Sequence, residues 1–150
     1  MVNRIITIIM LCIGFAANAQ DAEPVTWSAK TEMSSPTEGT LIVKGTIAPG
    51  WHIYGTQLPE GGPKPTTISY SGSKGVEFEG KTAVSPAPIK EKDQMFMMEL
   101  TTWENSVTFR QKFKVTDPES ARIVVKATYM SCDNMNCMPP KTKRINVKIQ

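Results

Sequence analysis

Cys132 and Cys137 are the residues of this 150-residue chain best suited to covalent chemistry. They sit in Tyr129-Met130-Ser131-Cys132-Asp133-Asn134-Met135-Asn136-Cys137-Met138-Pro139-Pro140, with four residues between them. A pair so spaced closes a small ring that can open and close without unfolding the domain that carries it. Thiol–disulfide exchange needs one thiolate, an accessible sulfur and a partner sulfur nearby. Lys141, Lys143 and Arg144 follow the second cysteine and favour its thiolate, Asp133 opposes them, and solvent screens both effects on an exposed loop. On residues alone, the pair reads equally as a structural disulfide. Closing so short a loop stabilises by only about 2 kcal/mol in the chain-entropy model, and a domain of this size has its own core.

The elements that must position the pair read as strands. Val107 to Val115 alternates apolar and polar residues without a break, and Val25–Thr31 and Thr40–Ile47 follow the same period. Shorter strands are expected at 51–54, 66–70, 76–78 and 145–149, with Gly/Pro turns at 34–39, 58–65 and 71–75. Lys81 to Gln94, with two prolines and five charges, is expected to be a long surface connection interrupted by the apolar run Met95–Leu100. A strand from Ala121 is expected to run to Cys132, while the prolines after Cys137 end regular pairing there. Cys137 is therefore expected to be the exchanging sulfur and Cys132 the resolving one. No window carries helical periodicity over three turns, so the fold class is all-β, an immunoglobulin-like antiparallel β-sandwich.

Residues 1–19 read as a signal peptide and residues 20–150 as one domain. Arg4 provides the positive charge, Ile5–Ala16 an apolar run too short to span a bilayer, and Ala17-Asn18-Ala19 a small-x-small cleavage site before Gln20. Cys12 falls inside the apolar run and is expected to leave with it; Leu11 is too large for the position before a lipidated cysteine. Without Arg4 the chain holds 16 basic and 14 acidic side chains, a net charge of +2, which argues against nucleic-acid partners and a membrane surface. Export to the periplasm or the medium places the remaining cysteines in an oxidising compartment.

Tyr-x-x-Cys at 129–132, the acidic and amide-rich loop, and Cys-x-Pro-Pro at 137–140 resemble the N-terminal periplasmic domain of the thiol:disulfide interchange protein DsbD. Gly50-Trp51-His52-Ile53-Tyr54 is similar to that family's aromatic segment, and Phe96 stands where the family has a cap-loop phenylalanine over its cysteines. The family usually spaces its cysteines by five residues, against four here. With no membrane-spanning or thioredoxin-like segment in the sequence, a stand-alone version of that domain is expected. The resemblance implies a redox-active Cys132–Cys137 pair, Phe96, Tyr129 and Tyr54 as shielding or partner-contact residues, and a second cysteine that exchanges. It implies an electron carrier between a membrane donor and exported client proteins, leaning towards an enzyme, with no cofactor, no metal and no stable membrane insertion.

Two further readings use the same residues. Met95, Met97, Met98, Met130, Met135 and Met138 lie around the two loops, and thioethers with thiolates suit Cu(I), so a copper-binding module is one alternative. A β-sandwich interaction domain with an inert disulfide is the other. Methionines also fill irregular gaps in any core, and His52, the one histidine, is expected as a surface or half-buried strand residue.

Overall fold

The structure is a computed structural model that describes residues 23–150. The signal-peptide expectation for 1–19, with Cys12 and the cleavage site before Gln20, lies outside the described residues. Eleven strands follow one another among those residues: β1 (Val25–Met33), β2 (Glu38–Ile47), β3 (His52–Tyr54), β4 (Thr67–Ser69), β5 (Val76–Ser85), β6 (Ile89–Asp93), β7 (Met98–Trp103), β8 (Ser106–Val115), β9 (Ile123–Tyr129), β10 (Ser131–Cys132) and β11 (Lys141–Val147). All pairings are antiparallel.

The alternation read over 107–115 becomes β8, whose Val107, Phe109, Gln111, Phe113 and Val115 point inward. It lies inside a four-stranded sheet of order β1-β2-β8-β5. A second four-stranded sheet, β10-β3-β7-β6, and a three-stranded sheet, β11-β9-β4, complete the fold. Trp27, Leu41, Val43, Phe109 and Phe113 of the first sheet share one buried core with Ile123, Val125, Ala127, Tyr129 and Val147 of β9 and β11, and with Ile53 and Trp103. This is the sandwich that the alternating strands require, each sheet hiding its apolar face against another.

Two stretches differ from the sequence expectation. Residues 81–94 are mostly strand, not a connection: β5 continues to Ser85 and β6 begins at Ile89. Both are edge strands, and from Glu79 to Lys92 every residue is exposed, so neither face is covered and no alternation appears. Their lysines and prolines are the usual defence of an open edge against pairing with another chain. The buried Gln111 amide anchors the bulge between Glu79 and Ala83, donating to the Glu79 carbonyl (2.7 Å) and accepting from the Thr82 hydroxyl (2.5 Å). Second, the strand expected from Ala121 to Cys132 is broken at Met130: β9 belongs to the three-stranded sheet, whereas β10 pairs with β3 in the other.

A two-layer core makes stability depend on which layer loses atoms. Phe113→Ala, in the centre, should destabilise by about 3–5 kcal/mol, read as a lower urea midpoint. Ile89→Ala, on the exposed edge strand, should stay within about 0.5 kcal/mol of the parent.

Candidate redox site and its cap

The step at Met130 brings Cys132 beside the aromatic segment. In the β10–β3 ladder, Cys132 is opposite His52 and Ser131 opposite Ile53. Cys132 is bonded to Cys137, with the two Cα atoms 4.1 Å apart. The loop between them is held by Asp133, whose Oδ1 accepts the N–H groups of Met135 (2.8 Å) and Asn136 (2.6 Å). These backbone donors, first of all, hold the Asp133 carboxyl below its ordinary range. The Met138 N–H donates to the Ser131 carbonyl (2.8 Å) and closes the ring on the sheet side. The two sulfurs differ in access: Cys132 is 0% exposed, whereas Cys137 is only partly buried.

A small second core covers Cys132. Tyr54 and Leu100 are buried with it, and Leu58, Phe96, Met98, Met130 and Cys137 pack against them. The Phe96 ring meets the Tyr54 ring edge-on, with centroids 5.8 Å apart. Phe96 rides on the turn at 94–97 that joins β6 to β7, and the same turn sets the Met95 Sδ 3.5 Å from the Cys137 Sγ. The apolar run after the charged stretch is thus a hairpin tip lying over the disulfide.

Asp93 forms that tip. Its Oδ1 accepts the N–H groups of Met95 (2.8 Å) and Phe96 (2.9 Å), and its Oδ2 accepts the Tyr54 hydroxyl (2.9 Å). Met97 takes a left-handed φ of 55° and returns the chain into β7. Burial first, then the hydrogen bond to Asp93 and its charge, push the Tyr54 phenol well above its ordinary pKa. Tyr54 therefore stays protonated as a fixed donor. Its oxygen lies 3.4 Å from the Cys132 Sγ and 3.3 Å from the His52 Nε2, and that nitrogen is 4.0 Å from the Asp93 Oδ2. The Thr66 hydroxyl donates to the Tyr54 carbonyl (2.6 Å) and fixes the strand.

Of the residues expected at the site, the structure brings Cys132, Cys137, Tyr54 and Phe96 together. It places Tyr129 elsewhere: that ring lies in the main core, 5.6 Å from Trp27, outside the cluster on Cys132. Sequence reasoning missed Asp93, which stood in a run of charges; the local signal is an aspartate at the start of a turn, a residue that bonds the backbone two positions on. His52 is half-buried, as expected for its strand, but faces the site. Among the described residues no group of three or more His, Cys, Asp or Glu gathers as a metal centre.

The cap hangs on one carboxylate, so Asp93→Ala should release it. Unpairing the buried Tyr54 hydroxyl and two N–H groups costs about 1–3 kcal/mol for each group left unsatisfied. Alkylation of the reduced thiols should accelerate in Asp93→Ala and in Phe96→Ala; rates equal to the parent would show that the tip does not limit access.

The sequence profile of the family described as thiol:disulfide interchange protein DsbD, N-terminal, matches residues 19–149. No curated protein matches the chain. Solved structures similar to it include the N-terminal periplasmic domain of ScsB from Proteus mirabilis, 19% identical, with a TM-score of 0.54. That match covers 81% of this chain but 44% of the other, so the chain spans less than half of it. The reduced DsbD N-terminal domain of Neisseria meningitidis is 16% identical over 73% of this chain and 81% of that one, with a TM-score of 0.48. At 19% identity the ScsB domain speaks to the fold alone. With the profile covering nearly the whole chain, and with a disulfide where exchange chemistry requires one, the protein belongs to the DsbD N-terminal domain family of thiol:disulfide interchange proteins.

Proposed function

We propose that this protein is an exported thiol–disulfide exchange domain that carries electrons from a membrane donor to exported client proteins. Its working form is residues 20–150 after loss of 1–19, in the periplasm or the medium. The observation that carries this reading is the asymmetry of the pair. Cys132 is sealed under Tyr54 and Phe96 and held in a ladder, while Cys137 keeps part of its surface and has only an isolated bridge beside it.

Charging the domain begins with a donor thiolate attacking the Cys137 sulfur. The S–S bond breaks, its electron pair leaves on Cys132, and a donor–Cys137 mixed disulfide forms. The second donor thiolate resolves it, yielding the donor disulfide and a free Cys137 thiolate; both sulfurs then take protons from solvent as their pKa values require. Towards a client the order reverses. The Cys137 thiolate attacks the client disulfide, Cys132 then attacks Cys137, and the client leaves as a dithiol. The Tyr54 hydroxyl oxygen lies 3.4 Å from the Cys132 Sγ, and its single proton, given to Asp93 in the disulfide form, has to turn from that carboxylate to reach the sulfur when it carries charge. Phe96 shields the pair and lifts when a partner docks. A buried leaving sulfur and an accessible attacked sulfur are what directional exchange needs.

Single mutants separate the roles. Cys132→Ser should accumulate mixed disulfides through Cys137, because the resolving thiol is gone, and Cys137→Ser should trap few or none. Equal trapping would show that access does not distinguish the sulfurs, and trapping only through Cys132 would reverse the assignment.

A further inference from the structure

We infer that the reduced protein binds one Cu(I) ion between the Cys132 and Cys137 sulfurs and the Met95 thioether. The three sulfurs already form one contiguous group. Cys132 and Cys137 are bonded to each other, and the Met95 Sδ touches the Cys137 Sγ at 3.5 Å. A trigonal ion with metal–sulfur bonds of about 2.3 Å, the length of a zinc–thiolate bond, spaces its ligands about 4 Å apart. Opening the disulfide moves its sulfurs from bonding distance to that spacing, with the thioether in place as the third ligand. Two thiolates and a thioether are soft donors and select Cu(I) over the hard cations.

The ion cancels one of the two thiolate charges that its own binding creates, and the Tyr54 hydroxyl stands between the Cys132 sulfur and the Asp93 carboxylate. Met95 is 45% exposed, so the third ligand faces solvent, from which a metal carrier can approach, while Cys132 closes the site from below. The chemistry balances without a further oxidant. A dithiol donor reduces the disulfide and becomes a disulfide itself. Cu(I) then displaces the two thiol protons to solvent, and no electron moves in the binding step. With the ion bound, neither sulfur is free to attack a disulfide. Only this last consequence rests on the proposed exchange role; the binding does not.

The test is a Cu(I) titration of the protein reduced with a phosphine, against a chromophoric bicinchoninate probe, with no partner protein present. The reduced form should take one equivalent and the oxidised form none, and copper-edge X-ray absorption should show three sulfur neighbours. Met95→Leu should weaken binding at least about tenfold, the lower end of what losing a supporting group costs a metal site, and drop the sulfur count to two. Met97→Leu, on the same turn but 66% exposed, should match the parent. Uptake by the oxidised form, no uptake by the reduced form, or equal affinity in the parent and Met95→Leu would overturn the inference. A Met97→Leu loss as large as that of Met95→Leu would overturn the choice of Met95.

Discussion

Asp93 is 8% exposed at the end of an edge strand, and three donors converge on its carboxylate. Each oxygen does separate work. Oδ1 bends the chain into the tip that carries Met95 and Phe96, and Oδ2 fixes the Tyr54 hydroxyl beneath that tip. A carboxylate placed so deep is tolerated only when hydrogen bonds replace the water it has lost. Its partners lie in the tip and in the wall beneath it, so the same bonds that satisfy the charge hold the tip against Tyr54. The tip is otherwise lightly held. Phe96 contributes one ring to a cluster whose fully buried members are Tyr54, Leu100 and Cys132, and Met95 and Met97 face solvent.

The change of sheet at Met130 creates the inequality between the two sulfurs. Up to Tyr129 the chain serves the main core, where β9 pairs with β11 and β4. Two residues later, at Ser131, it pairs with β3 and delivers Cys132 to a different, smaller core. The return after Asp133 is a tight loop in which the aspartate satisfies the turn's N–H groups, so Cys137 comes back to the ring without entering a long ladder. Met138 closes the ring, and the prolines after it precede β11. The disulfide thus joins a fixed sulfur to a partly exposed one, outside the main core of the scaffold.

Much of this was legible in the sequence, for physical reasons that differ by element. β8 and β2 were readable because one face of each is buried, so the period of two is written in their residues. The start of β5 was readable at 76–78, where Val76 and Phe78 pack on the core; its continuation from Glu79 and β6 were not, since an edge strand exposed on both sides has no face to mark. Phe96 was readable as the apolar member of a charged surrounding, but Asp93, the group that holds it, looked like its charged neighbours. Its burial follows from the fold of the hairpin and not from its type. Tyr129 was expected at the site because Tyr-x-x-Cys at 129–132 resembles the family's pattern. The break at Met130 gives that short stretch two destinations, and the tyrosine goes to Trp27.

A disulfide that only braces a domain and one that trades electrons look alike in outline, but they differ in how readily they are reduced. The most direct measurement is the midpoint potential of the Cys132–Cys137 pair, read by equilibrating the folded protein with thiol buffers of graded poise. An exchange centre should titrate above about −300 mV, within reach of other thiol–disulfide proteins. A potential below about −300 mV, the range of structural disulfides, would contradict the exchange role and make the bond a brace.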